Sequence, residues 1–193
     1  MPSTSVFLRR GLRLEYATMG WNVIGVGVLA WSAITARSVA LAGFGLDSLI
    51  EIAASGVVIW ELTGVDDGGR QRRALRLIGV AFVALASYLA VQSSVVLAAG
   101  YHAHHSPVGI VWTAASAAAM FALAAGKDRT GRALDNRVLR TEGRVTFVDG
   151  VLATAVLVGL VLNAAAGWWW ADPTAGYVLV YYAVREAWHI YNE

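Results

Sequence analysis

The chain is a succession of long apolar runs, and one of them carries acids in its interior. The stretch "GFGLDSLIEIAASG" places Asp47 and Glu51 in the middle of an apolar run covering 39–61. A helix needs roughly 20 mostly apolar residues to cross the hydrocarbon of a bilayer, and this run is that long. None of the runs alternates with period two, so helices are expected rather than a membrane barrel. Spans are predicted near 14–36, 39–61, 75–99, 107–126, 144–166 and 173–190. The expected fold is all-α: one integral membrane bundle of six transmembrane helices over 1–193, with short connections and antiparallel neighbours.

Composition supports the membrane setting. The chain is 58% hydrophobic and only 15% charged, against about 45–50% and about 25% for ordinary soluble domains. There is no cysteine, so neither a disulfide framework nor a thiolate metal site is available. A formal net charge of +2 is too small to point to nucleic acid. The N-terminal "MPSTSVFLRRGLRLEY" lacks the apolar core and cleavage site of a signal peptide. No nucleophile–base arrangement and no phosphate-binding glycine loop argue for an enzyme.

The distribution of charge sets the orientation. Arg9, Arg10 and Arg13 precede the first span. Arg70, Arg72, Arg73 and Arg76 lie between the second and third. Lys127, Arg129, Arg132, Arg137, Arg140 and Arg144 lie between the fourth and fifth, and Arg185 is near the end of the sixth. The opposite connections hold only Arg37. Lys and Arg mark the cytoplasmic side, so both termini are expected there, in a multi-pass protein of the cell membrane. "VDDGGRQRR" and "GKDRTGRALDNR" read as turn-rich cytoplasmic loops. Trp168, Trp169 and Trp170 have the composition of an interfacial belt. Small-residue stretches such as "TAASAAAMFALAAG" predict close helix packing, within one protomer or across a dimer.

Asp47 and Glu51 are four apart and share one helical face. An ionised side chain at mid-bilayer costs at least about 2.5–3.5 kcal/mol on insertion scales. Like charges side by side add to that cost, so a compensating group is required. No Lys or Arg falls in the middle of a predicted span. A bound cation, or protons standing in for one, is therefore the expected partner. Asp149 in the fifth span is a third acid, and Asn22 and Thr146 offer neutral oxygens. Hard divalent cations favour such oxygens, and zinc also accepts carboxylates. A site that exchanges metal for protons would be the centre of an antiporter. Glu15, Glu61, Glu142 and Glu186 lie near cytoplasmic span ends, where acids reach water. Glu142 shares a helical face with Asp149, seven residues on. His102, His104 and His105 could form a low-affinity exit site for metal or simply be solvated loop. Two further classes remain open: a non-transporting scaffold, metal sensor or partner subunit, and a transporter of another solute whose acids relay protons.

The segment "WNVIGVGVLAWSAITARSVALAGFGLDSLIE" resembles the first two spans of the cation diffusion facilitator family. The matching positions are Asn22, the Ser38-Val39-Ala40-Leu41 segment, Asp47 and Glu51. The fifth span and "GWWWADPTAGYVLVYYAVREAW" are similar to the family's last two spans, with Asp149 on the aspartate of its second ligand pair. The resemblance implies a six-helix exporter of divalent metal, a homodimer, driven by inward proton flow. It implies Asp47, Glu51 and Asp149 as metal ligands. The sequence departs from the family at the fourth ligand position, which is Val145, and in having Glu51 where Asp is usual. Asn22, Thr146, Glu142 or water are the candidates for the missing ligand. No prosthetic group is implied; the metal is cargo, and zinc, manganese, iron, cobalt and cadmium are not distinguished. An all-oxygen site suits manganese, iron(II) or magnesium better than zinc. The family's cytoplasmic metal-binding domain has no counterpart in the 193 residues.

Overall fold

The structure, a computed structural model, describes residues 4–36, 38–64, 69–100 and 104–192. Six helices account for nearly all of them: α1 Thr4–Ala36, α2 Val39–Leu62, α3 Gly69–Ala99, α4 Pro107–Leu134, α5 Arg137–Ala166 and α6 Ala171–Asn192. No strand occurs among the described residues. Five helices, α1 to α5, are long and apolar enough to cross a membrane. The sixth is 22 residues long.

Four helix ends differ from the expectation by six residues or more, that of α3 at Gly69 rather than 75 among them. α1 begins at Thr4 rather than near 14, α4 runs on to Leu134 rather than 126, and α5 starts at Arg137 rather than 144. The "GKDRTGRALDNR" segment is thus mostly helix, and the turn is confined to Asp135 and Asn136. Asp135 adopts a left-handed conformation (φ 50°) that closes α4. The Asn136 side chain then accepts from Leu139 N at 2.8 Å and caps α5. Its amide nitrogen also donates to Glu61 at 3.2 Å, tying the end of α2 to this turn. At the other end of the bundle, Ser38 and Ser106 cap α2 and α4.

The helices continue through charged sequence because their buried stripes continue. Along α4 the buried positions are Gly109, Thr113, Ser116, Ala117, Met120, Ala124, Lys127, Thr130 and Gly131. These steps of three and four define one helix face. α4 and α5 pack closely where Gly143 faces Lys127 and the backbone of Asp128 and Ala124; a Cβ there would lie 3.1 Å from Asp128 N. Two apolar clusters hold the bundle. One joins Leu29, Leu41, Phe44, Leu85, Leu152 and Val156. The other joins Val58, Ile78, Phe82, Val138, Leu139 and Val145. On α2, Asp47 and Glu51 fall between Phe44 and Val58. On α5, Glu142, Thr146 and Asp149 fall between Leu139 and Leu152. The outward face is apolar too, with Trp31, Ile34, Val111 and Trp188 exposed, as lipid contact requires.

Candidate functional site

The buried face of each helix brings its polar residues inward. Five carboxylates are buried among the described residues: Glu15, Asp47, Glu51, Glu142 and Asp149. Asp47, Glu51, Asp149 and Asn22 line one narrow cavity of about 10 Å³, closed by Trp21, Phe44, Trp112 and Met120. That volume is close to the room a single water needs. Trp21 and Trp112 stack with centroids 5.0 Å apart, and Trp21 Nε1 donates to Ser116 Oγ at 3.2 Å. The wall between α1 and α4 is therefore aromatic and braced.

The structure gathers the three expected acids around this cavity. Asp149 lies twelve residues beyond Arg137, roughly 18 Å along the helix, deep enough to reach the level of Glu51. Asp149 and Glu51 lie side by side. Glu51 Oε2 and Asp149 Oδ2 are buried with no other side-chain donor on them. Even so, no three His, Asp or Glu side chains among the described residues are gathered tightly enough to hold a metal ion as they stand. Asn22 donates its amide nitrogen to Thr18 O at 3.0 Å, which leaves its oxygen as the end a cavity ligand can use. Val145 belongs to the apolar cluster instead.

One residue overturns the expectation that no base accompanies these acids. Lys127 is fully buried. Its Nζ lies 3.1 Å from Glu15 Oε2, 3.3 Å from Glu142 Oε1 and 3.9 Å from Glu51 Oε1. It also donates to Thr146 Oγ1 at 3.0 Å, and Thr146 in turn donates to Glu51 Oε1 at 2.8 Å. Glu15 and Glu142 are fully buried as well, not water-exposed span ends. Four helices thus meet at one ammonium. Lys127 was missed because the fourth apolar run stops at Gly126. The signal that finds it is the stripe 113, 116, 117, 120, 124, small but for Met120, whose next position is 127.

The other candidates separate cleanly. Thr146 and Glu142 belong to the Lys127 network rather than to the cavity wall. Glu61 serves the α2 terminus through Asn136. His104 and His105 are exposed, with His104 N donating to Ala36 O at 3.0 Å. His102 and the Glu186 side chain lie outside the described residues.

A buried carboxylate cluster inside a bundle of membrane-crossing helices is the build of an ion transporter. The cation efflux transmembrane domain matches residues 74–193, more than half of the chain, from α3 to the end. The chain belongs to the cation efflux family. The matched part contains Lys127, Glu142, Thr146 and Asp149; Asp47 and Glu51 precede it. No curated protein matches the chain.

Proposed function

We propose that the chain exports divalent metal cations in exchange for protons, with Asp47, Glu51 and Asp149 as the ligands. The observation that carries this reading is the shared cavity: carboxylates from α2 and α5 and the Asn22 amide face one ion-sized space. The Glu51 and Asp149 carboxylates lie side by side there with no other side-chain donor on Glu51 Oε2 or Asp149 Oδ2, and such a pair is costly unless a cation or a proton engages it. Rotation of Asp47 and Asp149 toward Glu51 would complete an oxygen site, with Asn22 as the fourth ligand in place of Val145. Oxygen ligands favour manganese, iron(II) or magnesium over softer ions. Metal entering protonated carboxylates releases their protons, which couples the two fluxes. In this reading α6 is the sixth crossing, both termini are cytoplasmic, and the working unit in the cell membrane is a homodimer.

A second reading, a non-transporting scaffold or sensor, is favoured by Lys127, which compensates part of the acidic charge without any metal. Lys127 reaches Glu15, Glu51 and Glu142, leaving Asp47 and Asp149 as the acids that still call for a cation. Flux in proteoliposomes separates the readings. Manganese, iron(II), cobalt, zinc, cadmium and magnesium are offered across a pH gradient to wild type and Asp47→Asn. Flux that needs Asp47 and carries protons the other way supports the exchanger. Folded wild-type protein that moves none of these ions supports the scaffold.

A further inference from the structure

We infer that Lys127 is a tethered cation that competes with the transported ion for Glu51 and so sets the affinity of the cavity site. The inference rests on the transport reading above and adds a specificity-determining residue to it.

Glu51 stands between two cation positions. Its Oε1 faces the Lys127 network, receiving the Thr146 hydroxyl at 2.8 Å with the ammonium 3.9 Å away. Its Oε2 is buried with no donor reaching it, on a residue that lines the cavity beside Asp149. Thr146 fixes this division, because Lys127 donates to its oxygen and its own hydrogen is thereby directed at Glu51. A divalent ion in the cavity would share one carboxylate with a permanent neighbouring charge. The two cations repel across Glu51, and in a water-poor interior that repulsion is weakly screened. Glu15 and Glu142 also hold the ammonium, at 3.1 and 3.3 Å, closer than Glu51 does. It therefore cannot retreat when the ion arrives. The consequence is a site weakened enough to release its cargo, as conduction through a charged site requires.

The test is equilibrium binding of Mn²⁺ to purified protein, with uptake into proteoliposomes alongside. Lys127→Met keeps the side-chain length and removes the charge. It should tighten Mn²⁺ binding at least about tenfold, the equivalent of about 1.4 kcal/mol, and lower both KM and the maximal rate. Lys127→Arg should restore wild-type affinity. Because Lys127→Met strips a partner from Glu15 and Glu142, the measurement is repeated in Lys127→Met/Glu142→Gln, which should bind as tightly. Unchanged or weaker binding in either folded variant overturns the inference. Tight binding that survives in Lys127→Met/Asp47→Asn overturns it too, since the metal would then occupy the seat of the ammonium. Asp47→Asn alone distinguishes the two levels. If it binds Mn²⁺ as wild type does, the cavity reading itself fails; if it loses binding while Lys127→Met changes nothing, only the role of Lys127 fails.

Discussion

Lys127→Met also predicts a large loss of stability. The substitution leaves the carboxylates of Glu15, Glu51 and Glu142 without the ammonium that lies 3.1, 3.9 and 3.3 Å from them. All three are buried to within 2% of full, so water cannot replace the lost partner. Removing one member of a buried ion pair costs about 3–5 kcal/mol. For chains of about 150–250 residues each kcal/mol moves the midpoint by about 2–4 °C, giving a fall of about 6–20 °C. The assay is thermal unfolding in detergent at one fixed pH, as a double-mutant cycle with Glu142→Gln. Glu142→Gln alone should cost less, because Lys127 keeps Glu15 and Glu51. The double variant should recover part of the loss, with a coupling of about 0.5–3 kcal/mol. A Lys127→Met protein that melts with wild type, or a strictly additive cycle, would refute the ion-pair reasoning.

Three further outcomes follow from the packing. Gly143→Ala should destabilise by about 1–3 kcal/mol, since the new Cβ meets Asp128 N at 3.1 Å and Ala124 O at 3.4 Å; melting of this variant beside Gly20→Ala, where nothing lies within 4 Å, checks it, and the latter should hold or gain slightly. Asn136→Ala removes both the cap on Leu139 N and the tie to Glu61, for an expected loss of about 1–2 kcal/mol in the same assay. Trp112→Ala removes the ring stacked on Trp21 over the cavity, so labelling of Asp47 by a hydrophobic carbodiimide, read by mass spectrometry, should rise several-fold over wild type.

The parts of the fold that were legible in the sequence are those where hydropathy and periodicity agree. α2 and α3 carry unbroken apolar runs, and the spans expected for them near 39–61 and 75–99 lie within Val39–Leu62 and Gly69–Ala99. The pair Asp47 and Glu51 was legible for the same reason: a spacing of four on an apolar helix leaves one shared face, and both side chains are buried on it. The failures lie at the arginine-rich end. An apolar run stops at its first charge, whereas a helix stops at its cap. α4 therefore ends at Leu134, seven residues beyond Lys127, and is closed by the left-handed backbone of Asp135. The same error displaced the start of α5, which begins at Arg137.

The cost of that error was chemical as well as geometric. With Lys127 outside the predicted spans, the acids had no base, and a bound cation, or protons in its place, became the expected remedy for their burial. The partners of Lys127 come from α1, α2 and α5, and no spacing along the chain joins Glu15 to Glu142. What the sequence did hold was a stripe, mostly of small residues, that runs on from Ala124 to Lys127, Thr130 and Gly131. A charge on the buried face of a helix needs a buried partner wherever the apolar run ends. Applied to Lys127, that rule turns Glu15 and Glu142 from solvated span ends into its counter-ions. It also narrows the demand for a metal to the side of the network that Lys127 does not reach, where Asp47, Asp149 and the second oxygen of Glu51 remain.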